Sequence, residues 1–202
     1  MAVKDHSLDN KIIKAAKSEF LKYGYQGASL HKIVKKAGIT TGALYTRYQG
    51  KDELFVSLVL EIFEASKAVS EAIYPLYVEA YKLKDPNMIV KVISEETKMF
   101  HQVLFEHYDA CVLFFCKSNG SSIENKVKEM MDYKLATTTT YLKSISTKDI
   151  DLKGIEILAS LQFHYFKEIL NRGYQKEEAL KAFELIDAYQ AAGWKAIFEK
   201  IL

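Results

Sequence analysis

The sequence predicts an all-α protein, on three observations. Proline and glycine are scarce, 2 and 9 in 202 residues, so long stretches can run without the residues that break helices. Apolar side chains recur at intervals of three and four, which is the repeat of one helical face. No segment alternates apolar and polar residues with the β-branched and aromatic enrichment of a strand.

The elements follow in chain order. Ile12, Ala15, Ala16, Glu19 and Phe20 form one stripe, giving a first amphipathic helix that closes near Gly24. Ser29 is placed to cap a second helix, whose inner face is Ile33, Val34 and Ala37 and whose stop is Gly38, with Ile39 plugging the turn. Thr40 caps a short third helix. Asp52 and Glu53 lie in the first turn of a fourth, where the helix dipole favours acids. Pro75 is expected to kink or end that helix, and Asp85-Pro86 reads as the cap and first position of the next. "SNGSS" at 118–122 is a break, and Ser121 with Glu124 forms a capping box for the helix after it. The last two helices run roughly from Leu152 to Asn171 and from Lys176 to Leu202, parted by Arg172-Gly173.

Composition excludes several classes. With 49% hydrophobic and 27% charged residues the chain is neither disordered nor fibrous. The longest apolar run, "ACVLFFC" at 110–116, falls far short of the roughly 20 residues that span a bilayer, so no membrane association is expected. The amino-terminal cations are not followed by an apolar segment, so a cytoplasmic protein is expected rather than a secreted one. Cys111 and Cys116 read as free structural thiols in an apolar stretch. The net charge of +2 hides an asymmetry: residues 1–51 carry 10 Lys and Arg against 3 Asp and Glu, and the rest 18 against 23. A basic end of this kind meets an anion.

The stretch "GITTGALYTRYQGKDELF" at 38–55 says which anion. A helix ending at glycine, a short turn and a second short helix have the spacing of a helix-turn-helix, whose second helix enters the major groove of DNA. On the third helix Leu44 and Tyr48 share one side, the core side, while Thr41, Gly42, Tyr45 and Thr46 share the other. The hydroxyls suit phosphate oxygens and base edges, and Gly42 lets the backbone approach the duplex.

Wording beyond the turn is more specific. Residues 12–59 contain an "AA...F...GY.G.S" start, an "I...AGIT.GALY..Y" centre and a "KDEL" entry to the fourth helix. They resemble the amino-terminal domain of the TetR family of transcriptional regulators. The resemblance implies a three-helix DNA-binding domain over residues 1–53 and a larger helical domain over 54–202 that binds ligand and dimerises. It also implies a repressor-like homodimer on a palindromic double-stranded operator, released by a small-molecule inducer and needing no cofactor. Carried onto this sequence, the family's DNA contacts fall at Ser29, His31, Thr40, Thr41, Gly42, Ala43, Tyr45, Thr46 and Lys51. Ser29 at a helix start and Lys51 before the fourth helix suit phosphates, and Ala43 suits a thymine methyl.

Within that frame, walls for a mostly apolar inducer are expected from Phe100, His107, Cys111, Phe115, Met131, Tyr141 and Phe163, with His107 and Tyr141 as polar handles. The dimer interface is expected on the last two helices, from Ile155, Leu158, Ala159 and Phe166 on one and Phe183, Ile186, Trp194 and Ile197 on the other, with part of each stripe covering its own core.

Catalysis and metal binding find no foothold in the sequence. His101 and His107 are six apart, about 240° around a helix, and share no metal unless a bend intervenes. Glu95-Glu96 and Glu177-Glu178 read as solvated pairs, and His164 as an interior or interface histidine. The second reading is a helical interaction module or enzyme whose basic end is incidental. Salt-dependent binding to DNA separates the two.

Overall fold

The computed structural model describes residues 6–147, 151–174 and 176–202. Helices are the only regular elements among them: α1 His6–Gly27, α2 Leu30–Ala37, α3 Thr41–Tyr45, α4 Lys51–Leu83, α5 Pro86–Glu106, α6 Tyr108–Cys116, α7 Ser122–Ile145, α8 Leu152–Asn171 and α9 Lys176–Ile201. They form two compact units, residues 1–63 with 107–127, and residues 64–106 with 128–202.

In the first unit the expected stripe of α1 is buried, with Ile12, Ala16 and Phe20 fully inaccessible. Phe20 meets the ring of Phe55 edge-on at 5.0 Å, and Tyr25 meets it at 5.3 Å. Gly24 (φ 68°, ψ 175°) interrupts α1 as the sequence indicates, and the freed Tyr25 N–H donates to the carbonyl of Lys117 at 2.8 Å. Glu19, an acid on the apolar stripe, is 8% exposed and accepts a hydrogen bond from the Ser29 backbone N–H. An acid is stable there because it satisfies one of the orphan donors at the start of α2.

In the second unit Ile73, Ile89, Leu142, Ile155 and Phe198 form one buried cluster, flanked by Trp194 and Ile197. Asp85 caps α5 through the Asn87 N–H at 2.9 Å.

Four features refine or correct the sequence reading. Pro75 does not end α4, which continues to Leu83. Pro75 and Glu71 are both exposed, so the carbonyl that loses its partner faces water. The apolar stretch 100–116 is not one element: His107 (φ −127°, ψ 39°) breaks it into α5 and α6. The capping box before α7 is a variant, in which Glu124 accepts from the Gly120 N–H and Ser121 accepts from Ile123. Glu96 is not solvated but 7% exposed. Its carboxylate accepts from the Tyr77 hydroxyl and the Lys134 ammonium, both at 2.7 Å, and so is fully partnered.

Candidate nucleic-acid interface

The α2–turn–α3 segment is built from backbone chemistry upward. Gly38 adopts φ 67°, ψ 36°, a conformation glycine takes at little cost, and its N–H closes α2 by donating to Lys35 and Val34 carbonyls. Thr40 then caps α3, its hydroxyl oxygen accepting from the Ala43 N–H at 3.1 Å. Ser29 stands at the start of α2 with extended backbone, but its side chain makes no cap bond. Its hydroxyl is therefore not committed to capping.

Helix α3 has only five residues, so tertiary anchors must hold it. Leu44 is 1% exposed and is the first anchor. Arg47 is the second: its Nε donates to Asp9 on α1 at 2.5 Å and its Nη1 to the Ala43 carbonyl at 3.2 Å. Thr46 donates to the same Ala43 carbonyl at 2.9 Å. Tyr48 is half-buried, in keeping with its place on the core side. The opposite side carries Thr41, Gly42, Tyr45 and Thr46, all exposed, with Ala43 half-buried at the edge. Tyr45 is 52% exposed although it adjoins a fully packed leucine. Such exposure of an aromatic ring costs solvation unless something covers it.

Cations and aromatic rings surround this segment. Lys32 on α2 lies 4.7 Å from the centroid of Tyr23, and His31 beside it is exposed. Lys51 is half-buried, with its ammonium 4.8 Å from the Tyr25 centroid and donating to the Gln26 carbonyl at 3.1 Å. Burial lowers its pKa from the usual lysine value. Two of its three donors remain for a further partner. Asp52, next in sequence, receives the Ser122 backbone N–H and hydroxyl at 2.9 and 2.6 Å. Burial opposes its ionised form, but the bonds from Ser122 and Tyr25 outweigh it and hold its pKa below the ordinary value.

The expected inducer-wall residues are divided between the two units. Phe100, Met131 and Tyr141 belong to the second unit, whereas His107, Cys111 and Phe115 belong to the first; the Phe163 side chain lies outside the described residues. Cys111 is 2% exposed, and burial first, with Glu61 next, pushes its pKa up to about 12. His107 pairs with Glu61 at 3.3 Å and His101 with Asp187 at 3.5 Å. A bend does separate the two histidines, and each has its own acid. His164 is exposed rather than interior, its ring nitrogen near the Ser160 carbonyl.

Of the expected interface residues, Ile155 and Phe183 turn inward, at 7% and 3% exposure, and Phe183 packs on the rings of His101 and Phe166. Ala159, Ile186, Trp194 and Ile197 are half-buried, and Leu158 is exposed. The sequence reading missed Ile157, Leu185 and Tyr189, which are 62%, 75% and 71% exposed. The i, i+4 spacing of Leu185 and Tyr189 was the available signal.

Residues 12–58 match the family model described as bacterial regulatory proteins of the tetR family. Among curated proteins, the chain is 32% identical over 63 residues to the uncharacterized HTH-type transcriptional regulator YdgC of Bacillus subtilis (strain 168), a match covering 31% of this chain and 32% of that protein. It is 24% identical over 139 residues to YhgD of the same organism, another HTH-type regulator, covering 60% and 71%. Among solved structures, a TetR-like transcriptional regulator from Rhodococcus sp. RHA1 superposes with a TM-score of 0.59 at 20% identity, over 95% of this chain and 100% of that one.

Proposed function

We propose that the chain is a regulator of the TetR kind, as the match of residues 12–58 supports, and that it is a homodimeric repressor which binds a palindromic operator and leaves it on binding a small, mostly apolar inducer. The observation that carries the proposal is the two-sided third helix: Leu44 is sealed while Thr41, Gly42, Tyr45 and Thr46 are exposed beside a cation-rich segment. An uncovered face of hydroxyls with a close-approach glycine suits a duplex.

In this reading residues 1–53 bind DNA and residues 54–202 hold inducer and partner. Tyr45, Thr41 and Thr46 reach base edges or phosphates, Gly42 and Ala43 face the bases, and Ser29, His31, Thr40 and Lys51 contact the backbone. The exposed apolar residues of α8 and α9, Ile157, Leu158, Leu185 and Tyr189, support an interface on these helices. A two-fold dimer supplies two recognition helices for two half-sites. The protein acts where its operator is, in the cytoplasm.

The test is titration of the protein with its own upstream DNA at several salt concentrations. The proposal expects a steep loss of affinity as salt rises, because each neutralised phosphate releases counterions. Binding that is absent or salt-independent overturns it, and sedimentation of a monomer at micromolar concentration overturns the dimer.

A further inference from the structure

The second unit carries a surface groove of about 420 Å³ between the carboxy-terminal end of α4 and the last turns of α7. Three tyrosines, Tyr74, Tyr81 and Tyr141, line it together with Lys82, Lys84 and, among its aliphatic residues, Ile145. This is an unusual wall for a helical surface, where long charged side chains normally dominate.

The rings are organised. Tyr77 stacks on Tyr81 with centroids 5.8 Å apart and planes 16° from parallel. Tyr81 in turn stacks on Tyr141 at 4.6 Å and 12°. The column is fixed at its inner end, where the Tyr77 hydroxyl donates to the buried Glu96 carboxylate. At the other end Tyr141 lines the groove together with Tyr74, which is 57% exposed. Preorganised rings of this kind lose little freedom when another flat ring joins them.

The charge is one-sided. Lys82 lies in the last turn of α4, and Lys84 follows it with φ 51°, the one non-glycine residue among those described with a positive φ. Among the described residues no ion pair forms on either lysine. No carboxylate lines the groove. A lysine held in the left-handed region at the mouth of an aromatic groove places a cation where it meets the anionic end of a bound molecule.

We propose that this groove is a binding site for a flat aromatic ring carrying one anionic group, the ring extending the column on the outer face of Tyr141 beside Tyr74 and the anion between Lys82 and Lys84. The proposal rests on the reading of the chain as a ligand-responsive regulator, for which it supplies the inducer's place and chemistry. It departs from the walls expected from sequence, of which only Tyr141 is retained. The open shape of the groove implies a ligand held by stacking and charge rather than by enclosure.

The test is calorimetric titration of the full chain with 2-naphthoate, its neutral analogue 2-naphthamide, and inorganic phosphate. Naphthoate is expected to bind one per chain, with the amide and phosphate each at least about tenfold weaker, because each lacks one of the two recognition elements. The double substitution Lys82→Ala with Lys84→Ala, at two exposed positions, is expected to weaken naphthoate by about tenfold while leaving the melting temperature unchanged. Tyr141→Ala is expected to weaken naphthoate and naphthamide alike. Equal binding of naphthoate to parent and double variant, or no binding to the parent, overturns the site. Repeating the titration with saturating operator separates the two proposals. Naphthoate that binds in the groove with the same affinity in both cases leaves the site standing and removes its role in induction. Loss of naphthoate binding altogether, with salt-dependent operator binding intact, removes the site and leaves the regulator.

Discussion

Replacing Arg47 by Met removes the guanidinium that ties α3 to α1 and keeps most of the aliphatic stem. Three facts set the size of the effect. The side chains of Arg47 and Asp9 are 15% and 29% exposed, so the pair is partly withdrawn from water. A charge-assisted bond of this kind contributes about 1.5–3 kcal/mol, and the carboxylate left behind recovers some hydration, which lowers the cost. The Ala43 carbonyl keeps the Thr46 hydroxyl as donor and is not orphaned. The expected loss of folding stability is therefore about 1–2 kcal/mol for Arg47→Met, with a coupling of about 1 kcal/mol to Asp9→Asn in a double-mutant cycle. Because α3 has one buried leucine as its other main anchor, operator affinity should fall with stability, by a similar factor for every operator variant tested. Urea denaturation of the four proteins gives the coupling, and band-shift titration gives the affinities. A coupling under about 0.3 kcal/mol, with unchanged operator binding, would refute the claim that this pair positions the helix.

Adjacent residues on α3 should behave in opposite ways. Leu44→Ala is expected to cost about 2–5 kcal/mol of stability by opening a cavity, whereas Tyr45→Ala leaves the melting curve in place and weakens operator binding by about 1–3 kcal/mol; the reverse pattern would invert the assignment of faces. In the native protein at pH 8, Cys111 should resist iodoacetamide, since burial holds its thiol protonated with a pKa of about 12, and mass spectrometry showing alkylation of Cys111 at the rate of a free thiol would contradict its burial. The His101–Asp187 pair gives a pH signature. Burial lowers His101 to about 4 and raises Asp187 to about 6. The lowered histidine withdraws stability as pH falls from its unfolded value near 6.5 toward 4, while the raised aspartate withdraws it as pH rises from about 4 through 6, so the two slopes oppose. Asp187→Asn removes the second and leaves the first, and its stability should drop more steeply than the parent's between pH 6.5 and 4; parallel profiles would show that the Asp187 pKa is not raised in the folded protein.

Much of the fold was legible because local rules decide local structure. Gly38 with Thr40 fixes the turn through backbone chemistry that needs no distant partner, and the stop at Asn171 and the cap at Asp85 follow in the same way. Distance in sequence is what concealed the rest. Asp9 and Arg47 are 38 residues apart, as are Glu96 and Lys134, and no periodicity links them. Glu96 looked solvated because its neighbour Glu95 is, and only the fold brings Tyr77 to it. The stripes of α8 and α9 were visible, but which residues cover the chain's own core depends on how helices pack. Ile155 and Phe183 turn inward while Ile157 and Leu185 do not. The exposed side of α3 was the most readable part, since a five-residue helix with one buried leucine has a single way to face a core.

The threonine run on α7 has a dynamic consequence. Thr137 and Thr138 each return a hydroxyl to the carbonyl four residues back, Thr139 shares its own between the third and fourth, and Thr140 donates to Ala136. These bonds keep four poor helix formers inside a helix, at a propensity cost of about 2 kcal/mol relative to alanine. They also draw on carbonyls already engaged by the backbone. Amide hydrogens along this turn should therefore exchange with solvent sooner than those of Leu142 and Ile145, which are anchored in the core. Tyr141 sits at the boundary between the two regimes, so the ring that ends the tyrosine column stands directly between the threonine turn and the anchored end of its helix.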